Sequence, residues 1–287
     1  MAKGRELKGR IKSTENTRKI TRTMEMVATS KMKRALDRVV AARPYAMALN
    51  DVISSLYSPE LAESFPLLRQ PLHVKRAAVL LLTSNRGLAG GFNANLIKEA
   101  RQLIARLTDA GTEVQLHVVG RKGIGYFRYV GREMLTQRTD ISDRPTAPDA
   151  SSLVDALMAA FVGEALDAVY VVQARFQSAL SSPPASVRVL PVERPAKGKV
   201  QKDYLLFPSA EAILSELLPL YVRNAVYRAL VETVAAEQAA RRTAMKSATD
   251  NATDMLHLLR RTYNRARQAS ITQEIAEIVG GAAALQG

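Results

Sequence analysis

The sequence predicts an α/β protein in which two long helices, one at each end of the chain, enclose a small domain with a mostly parallel sheet. Three observations carry this reading. The first 56 residues contain little glycine and one proline, Pro44, with apolar residues at helical spacing. The middle alternates short Val- and Leu-rich runs with amphipathic stretches, as βαβ units do. The last seventy-odd residues return to a four-and-three apolar spacing.

In the N-terminal helix the apolar positions Ile20, Met24 and Val27, then Met32, Leu36 and Val39, then Leu49, Ile53 and Leu56 step four then three, with a phase jump between runs. About fifty helical residues reach roughly 75 Å. Pro59, Pro66 and Pro71 then end the helix. Ala77–Leu82, Val114–Val119, Ala168–Val172 and Val187–Leu190 read as buried strands, and Ala94–Leu107 and Ser152–Leu166 as the helices between them. In the C-terminal helix the seam Met245, Thr249, Ala252, Leu256, Leu259, Tyr263, Ala266 is regular; it then shifts and resumes at Ile271, Ile275 and Ile278. Pro219 kinks this helix or marks its start. Some seventy-five residues would span about 110 Å. The simplest burial of both seams is an antiparallel coiled coil attached to a small Rossmann-like α/β domain. The expected division is 1–58 for the N-terminal shaft helix, 59–208 for the α/β foot domain and 209–287 for the C-terminal shaft helix.

Composition removes several function classes. There is no cysteine, which excludes disulfides, thiolate metal sites and a cysteine nucleophile. The three histidines, His73, His117 and His257, lack metal-ligand spacing and read as surface or boundary residues. No apolar run approaches the roughly 18 residues that span a bilayer, and the N-terminus has no signal-peptide core, so the expectation is a soluble chain made where it works. Neither a Ser–His–acid set nor paired carboxylates can be read at an informative spacing. No catalytic residue, cofactor site or metal site is expected.

The chain carries a net charge of +14, and between Met1 and Arg43 thirteen Lys/Arg face four Asp/Glu. Such a balance asks for an anionic partner. Nucleic acid is one reading, although no aromatic residue precedes Tyr45 to stack on a base. A shaft running through acidic protein surfaces is the other, and charge does not separate the two. The opposite end differs: Gln268–Gly287 holds no basic residue and only Glu274 and Glu277 as acids.

Thr83–Asn93 (TSNRGLAGGFN) follows a strand and opens a helix, as phosphate loops do. It matches neither GxxxxGK[ST] nor GxGxxG, so it reads as a tight turn that needs glycine for its backbone. Gly120–Gly125 (GRKGIG) reads as a second glycine-spaced turn before a helix.

Several blocks carry a family resemblance. Leu7–Leu36, with Asn16-Thr17, Lys19-Ile20-Thr21 and Met24-Glu25-Met26-Val27-Ala28 in order, resembles the N-terminal helix of F-type ATP synthase gamma subunits. Thr83–Asn93 is similar to that family's glycine-rich loop, and Glu237–Asn251 and Asn264–Val279 to its C-terminal helix. The resemblance implies a non-catalytic central-stalk rotor that carries torque from a membrane c ring to a catalytic ring of alpha and beta subunits, coupling ATP synthesis or hydrolysis to proton translocation. The implied partners are alpha, beta, epsilon and the c ring, with no nucleic acid, and the implied place is the cytoplasmic face of a bacterial plasma membrane, as a peripheral subunit.

It also implies contacts. Arg267 and Gln268 match a pair that hydrogen-bonds a beta-subunit loop, with Thr272 and Glu274 in the same cluster and Met24 packed nearby. Arg241 and Arg242 belong to the same contact set, Arg242 standing where the family commonly has Met. Tyr204, Leu205, Leu206 and Phe207, in a segment similar to the family's foot, would touch the c ring and epsilon. Lacking cysteine, the chain cannot carry the dithiol switch of chloroplast relatives.

Overall fold

The computed structural model describes residues 2–56, 64–178, 181–193 and 209–284. Helix α1 runs unbroken from Ala2 to Leu56, through Pro44. A short 3-10 turn at Pro66–Leu68 leads into strand β1, Arg76–Leu82. There follow α2 (Phe92–Asp109), β2 (Glu113–Val119), α3 (Arg121–Tyr129), β3 (Thr136–Arg138), α4 (Ala147–Val162), β4 (Ala168–Ala174) and β5 (Pro184–Leu190). Helix α5 covers Ala210–Ala284, with Pro219 inside it. The chain forms two compact units, one of Met1–Ala28 with Arg242–Gly287, the other of Thr29–Arg241.

In the larger unit the five strands lie in the order β3-β2-β1-β4-β5. The first four are parallel, and β5 returns antiparallel to β4 as an edge. A mostly parallel sheet must be covered on both faces, and the alternation along β1 shows how. Ala78, Leu80 and Leu82 join Val169 and Val171 under α4, together with Leu49, Ile53 and Leu56 of α1 and Leu214–Leu230 of α5. Val79 and Leu81 join Leu116, Val118 and Val172 on the other face, under α2 and α3.

Sequence reading placed the strands and α2 but not all of the boundaries. Helix α4 begins five residues before the expected Ser152 and stops at Val162, short of Leu166. Its start is a capping box: the Thr146 hydroxyl accepts from the Asp149 amide at 3.4 Å and the Asp149 carboxylate accepts from the Thr146 amide at 2.8 Å. Its end is set by Gly163 and by Glu164 at φ +57°. Strand β3 was not anticipated; three residues, Thr136, Gln137 and Arg138, are too few for a hydrophobic period.

The expected seam of α1 requires a larger correction. Ile20 and Val27 are exposed, at 60% and 51%, and Met24 is only half-buried. The buried positions of α1 are Leu7, Thr21, Ala28, Ala35, Val39, Leu49, Ile53 and Leu56. These keep one heptad register, with no phase jump. In the first half small residues occupy the tightest positions because closely approaching helices leave no room for larger ones, so a search for bulky apolar residues selected the neighbouring stripe there, while Val39, Leu49, Ile53 and Leu56 are buried as expected.

The larger unit contributes a short cluster in which Ala35 and Val39 of α1 meet Val231 and Ala235 of α5. In the smaller unit α1 and α5 also run antiparallel: the Thr21 and Thr249 hydroxyls lie 2.8 Å apart, and Arg260 pairs with Glu15. There the α5 seam is as read, with Met245, Ala252, Leu256 and Leu259 buried and Thr249, Tyr263 and Ala266 half-buried. It does not resume. Ile271, Ile275 and Ile278 are exposed at 46%, 56% and 71%, with Val279 at 61%. No helix among the described residues is long and apolar enough to cross a membrane.

Candidate functional site

In open α/β sheets ligands bind beyond the carboxyl ends of the strands where the strand order reverses. Here β1 leads outward to β2 and β3, and β4 returns on its other side, so the crevice lies beyond Leu82 of β1 and Ala174 of β4. It is filled by the chain itself. The Ala174 amide donates to the Thr233 hydroxyl of α5 at 3.3 Å. Ala236, fully buried, packs into the same cluster as Val79, Leu81, Val172 and Ala174.

One turn further, Glu237 and Arg241 form a buried ion pair at 2.6 Å, their side chains only 8% and 9% exposed. The Arg241 guanidinium also donates to the Gly87 carbonyl at 3.1 Å. The C-terminal helix thus occupies the switch-point crevice and holds the glycine-rich loop with a charged hydrogen bond. Burial pushes the Glu237 carboxyl above its ordinary range, against the pull of Arg241. Nearby, Asp143 receives Lys31 at 2.5 Å. Burial works to raise its pKa, but Lys31, Arg86 and Arg241 prevail and hold it below the usual carboxylate range.

The rest of the Thr83–Asn93 loop is committed internally. Thr83 donates through its hydroxyl to the Val119 carbonyl at 2.7 Å and accepts from the Gly123 amide at 3.0 Å. Asn93 Oδ1 accepts from the Ser84 amide at 3.0 Å. Asn85 donates to the Thr139 and Ile141 carbonyls, at 3.0 and 3.1 Å, and accepts from the Arg121 amide. Gly90 lies at φ +56°, the left-handed conformation that glycine tolerates, in keeping with a tight turn. In GRKGIG the turn is shorter than expected, since α3 begins at Arg121. Gly120 has φ +98°, and a Cβ there would lie 2.2 Å from the Thr83 carbonyl oxygen. The two loops therefore approach one another at backbone contact.

The positions singled out for partner contact are distributed as follows. Arg267 and Gln268 are exposed on α5, and among the described residues the Arg267 side chain has no hydrogen bond or ion pair. Thr272 donates to the Gln268 carbonyl at 2.9 Å. Glu274 accepts from Ser270 at 3.3 Å. These four form one exposed polar stretch above the last buried seam residue, Leu259.

Met24 is not among them. The Thr21–Thr249 and Glu15–Arg260 contacts put Arg267 level with the first residues of α1, so Met24 lies roughly 25 Å further along the axis at 1.5 Å per residue. Arg241 is turned inward on Glu237 and Gly87, and Arg242 is half-exposed. Tyr204, Leu205, Leu206 and Phe207 lie outside the described residues. Sequence reasoning missed the Glu237–Arg241 pair. Its only sequence trace is the four-residue spacing of opposite charges, which most often marks a solvated helix face.

A family model described as ATP synthase matches residues 3–285. The ATP synthase gamma chain of Gemmatimonas aurantiaca is 68% identical over 290 residues, covering 100% of both chains. That of Leptospira biflexa serovar Patoc is 43% identical over 288 residues, covering 99% of this chain and 100% of the other. Among solved structures, a chain of the Euglena gracilis mitochondrial ATP synthase, OSCP/F1/c-ring, in rotational state 3 aligns with a TM-score of 0.71 at 21% identity, covering 99% of this chain and 95% of that one. A chain of the Tetrahymena thermophila mitochondrial ATP synthase central stalk and c ring aligns at 0.62 and 24% identity, covering 80% and 99%.

Proposed function

The chain belongs to the ATP synthase gamma chain family, and from that premise we propose that it is the rotor shaft of a bacterial F-type enzyme, carrying torque and making no bond itself. The observation that carries this reading is the filled crevice. The position where a doubly wound sheet would take a nucleotide holds Thr233, Ala236, Glu237 and Arg241 of the chain's own helix. A domain built in this way serves as a mount for the helices rather than as a catalytic fold.

On this reading the catalytic nucleotides belong to a ring of alpha and beta subunits, and the shaft links that ring to a c ring in the membrane, with epsilon at the foot. The exposed stretch of Arg267, Gln268, Thr272 and Glu274 is the beta-subunit catch. A guanidinium with no partner among the described residues supports it, since a charged hydrogen bond contributes about 1.5–3 kcal/mol, enough to hold a rotational dwell and little enough to break at each step. Met24 and Arg242 join as separate contacts at other levels of the shaft, and Arg241 acts there through the loop it holds. Above the catch, Ile271, Ile275, Ile278 and Val279 offer an apolar, nearly uncharged surface suited to turning in a bearing. Tyr204, Leu205, Leu206 and Phe207 serve as the contact with the c ring and epsilon. The working division is 1–58 and 209–287 as shaft and 59–208 as foot, and the place of action is the cytoplasmic face of the plasma membrane.

Reconstitution tests the proposal. Mixed with the cognate alpha, beta and epsilon subunits, the chain should enter a stoichiometric complex that hydrolyses ATP, while the chain by itself binds no ATP saturably. Salt-sensitive DNA binding with no such complex would overturn it.

A further inference from the structure

We propose that a basic cleft in the Thr29–Arg241 unit binds a tetrahedral inorganic oxyanion of the phosphate type. The cleft has a volume of about 190 Å³ and is lined by Lys31, Arg34 and Arg38 of α1, Asp143 and Arg144 of the loop before α4, and Gln238 of α5.

Its charges do not cancel. The one carboxylate in the lining, Asp143, is taken by Lys31 at 2.5 Å. Arg38 reaches only the Asp143 backbone carbonyl, at 3.4 Å. Arg34 bonds to Ser30, one turn back on its own helix, at 3.3 and 3.4 Å. The Arg144 guanidinium has no hydrogen bond or ion pair among the described residues. Three guanidinium groups therefore line the space beside a single carboxylate already paired with Lys31, and like charges repel less once an anion enters.

The floor supplies a second, independent observation. Gln238 is 1% exposed and presents its side chain to the lining of the cleft. Its NH2 group can donate to an oxyanion seated beside it.

Size and geometry select the ligand. Pockets for drug-sized ligands span roughly 300–1,000 Å³, so this cleft is small for a whole nucleotide and admits a phosphate with some of its water. Guanidinium forks match oxyanion geometry and make short, charge-assisted bonds. Occupancy would join α1, α5 and the loop before α4 through one ion, and phosphate would stabilise the unit by mass action.

The test is calorimetric titration of the full chain with inorganic phosphate at low ionic strength, paired with thermal unfolding at rising phosphate. One saturable site is expected, with the unfolding temperature rising in step. Arg34→Gln with Arg144→Gln should weaken binding at least tenfold, and Gln238→Leu should weaken it as well. Arg101→Gln with Arg121→Gln, an equal loss of charge outside the cleft, should leave affinity within twofold.

Absence of saturation by 10 mM, on the order of the weakest site that would count as specific, would overturn the proposal. Equal losses in the two arginine pairs would also overturn it, by showing a diffuse field. Tighter binding of ADP, or displacement of phosphate by a polyglutamate peptide at lower concentration, would assign the cleft to another ligand and sink the phosphate reading. Should Gln238→Leu fail to fold, the two arginine pairs carry the decision.

Discussion

Replacing Arg241 with methionine removes one half of the ion pair that sits in the switch-point crevice. Glu237, 8% exposed, would be left as a carboxylate with no countercharge on its own helix, and the Gly87 carbonyl would lose its donor. Breaking a buried pair by deleting one partner costs about 3–5 kcal/mol, because the surviving charge remains desolvated. At roughly 2–4 °C per kcal/mol for a unit of this size, the unfolding temperature should fall by roughly 6–20 °C.

The loss should depend on pH in a defined sense. The Glu237 pKa is raised by burial above its ordinary value of 4.5, and removal of Arg241 raises it further. A folded state that binds a proton more tightly than the unfolded state gains stability as pH falls, and loses it as pH rises through the folded pKa. The variant should therefore recover part of its deficit between pH 7.5 and pH 5, relative to the parent chain. Converting Glu237 to Gln in the same background should recover most of the rest, since the uncompensated charge is gone. Thermal unfolding followed by circular dichroism, with hydrogen exchange of the β1 and β4 amides to report on the larger unit, measures all three. A deficit under about 1 kcal/mol would refute the reasoning, as would one that grows on acidification.

Three further outcomes are expected. Gly120→Ala should destabilise the larger unit by about 3 kcal/mol or more in urea unfolding, since it combines a left-handed φ with a Cβ 2.2 Å from the Thr83 carbonyl oxygen. Arg267→Ala with Gln268→Ala should leave unfolding within about 0.5 kcal/mol of the parent, both residues being exposed, yet reduce ATP-driven proton pumping by the reconstituted complex; unchanged pumping would remove the catch from Arg267. Thr249→Val should cost about 1 kcal/mol by leaving Thr21 without its partner hydroxyl, and adding Thr21→Val should cost little more, as a double-mutant cycle of unfolding free energies would show.

How much of this was legible in the sequence depended on what each element packs against. The strands flanking α2 and the Met245–Ala266 seam were readable because large apolar residues face a core at a fixed period. The α1 seam was readable at Val39, Leu49, Ile53 and Leu56 but not before them, because Thr21, Ala28 and Ala35 carry no hydrophobic signal and exposed Ile20 and Val27 carry a strong one. The same bias extended the α5 seam to Ile271, Ile275 and Ile278, which are apolar without being covered by their own chain. At the candidate site, the exposed Arg267 and Gln268 were found through a resemblance. The inward turn of Arg241 could not be, since a sequence gives the spacing of charges but not which of them a distant loop will cover. The distance between Met24 and Arg267 likewise follows from the pairing register of two helices, and register across more than two hundred residues leaves no local mark.

The cluster that covers one face of the sheet has a consequence for synthesis. That face is closed by Leu49, Ile53 and Leu56 from the first helix and by Leu214–Leu230 from the last. A ribosome delivers the strands between them before the second group, at about 5–20 residues per second. For about 1–8 s the nascent chain therefore carries a formed or forming sheet with part of one side uncovered. Its first helix must wait for a partner that is made only after the whole sheet. The element that stiffens the finished shaft is thus also the one that ends the chain's most vulnerable interval. A truncation before Leu214 should yield a sheet that associates with other copies rather than a smaller working domain.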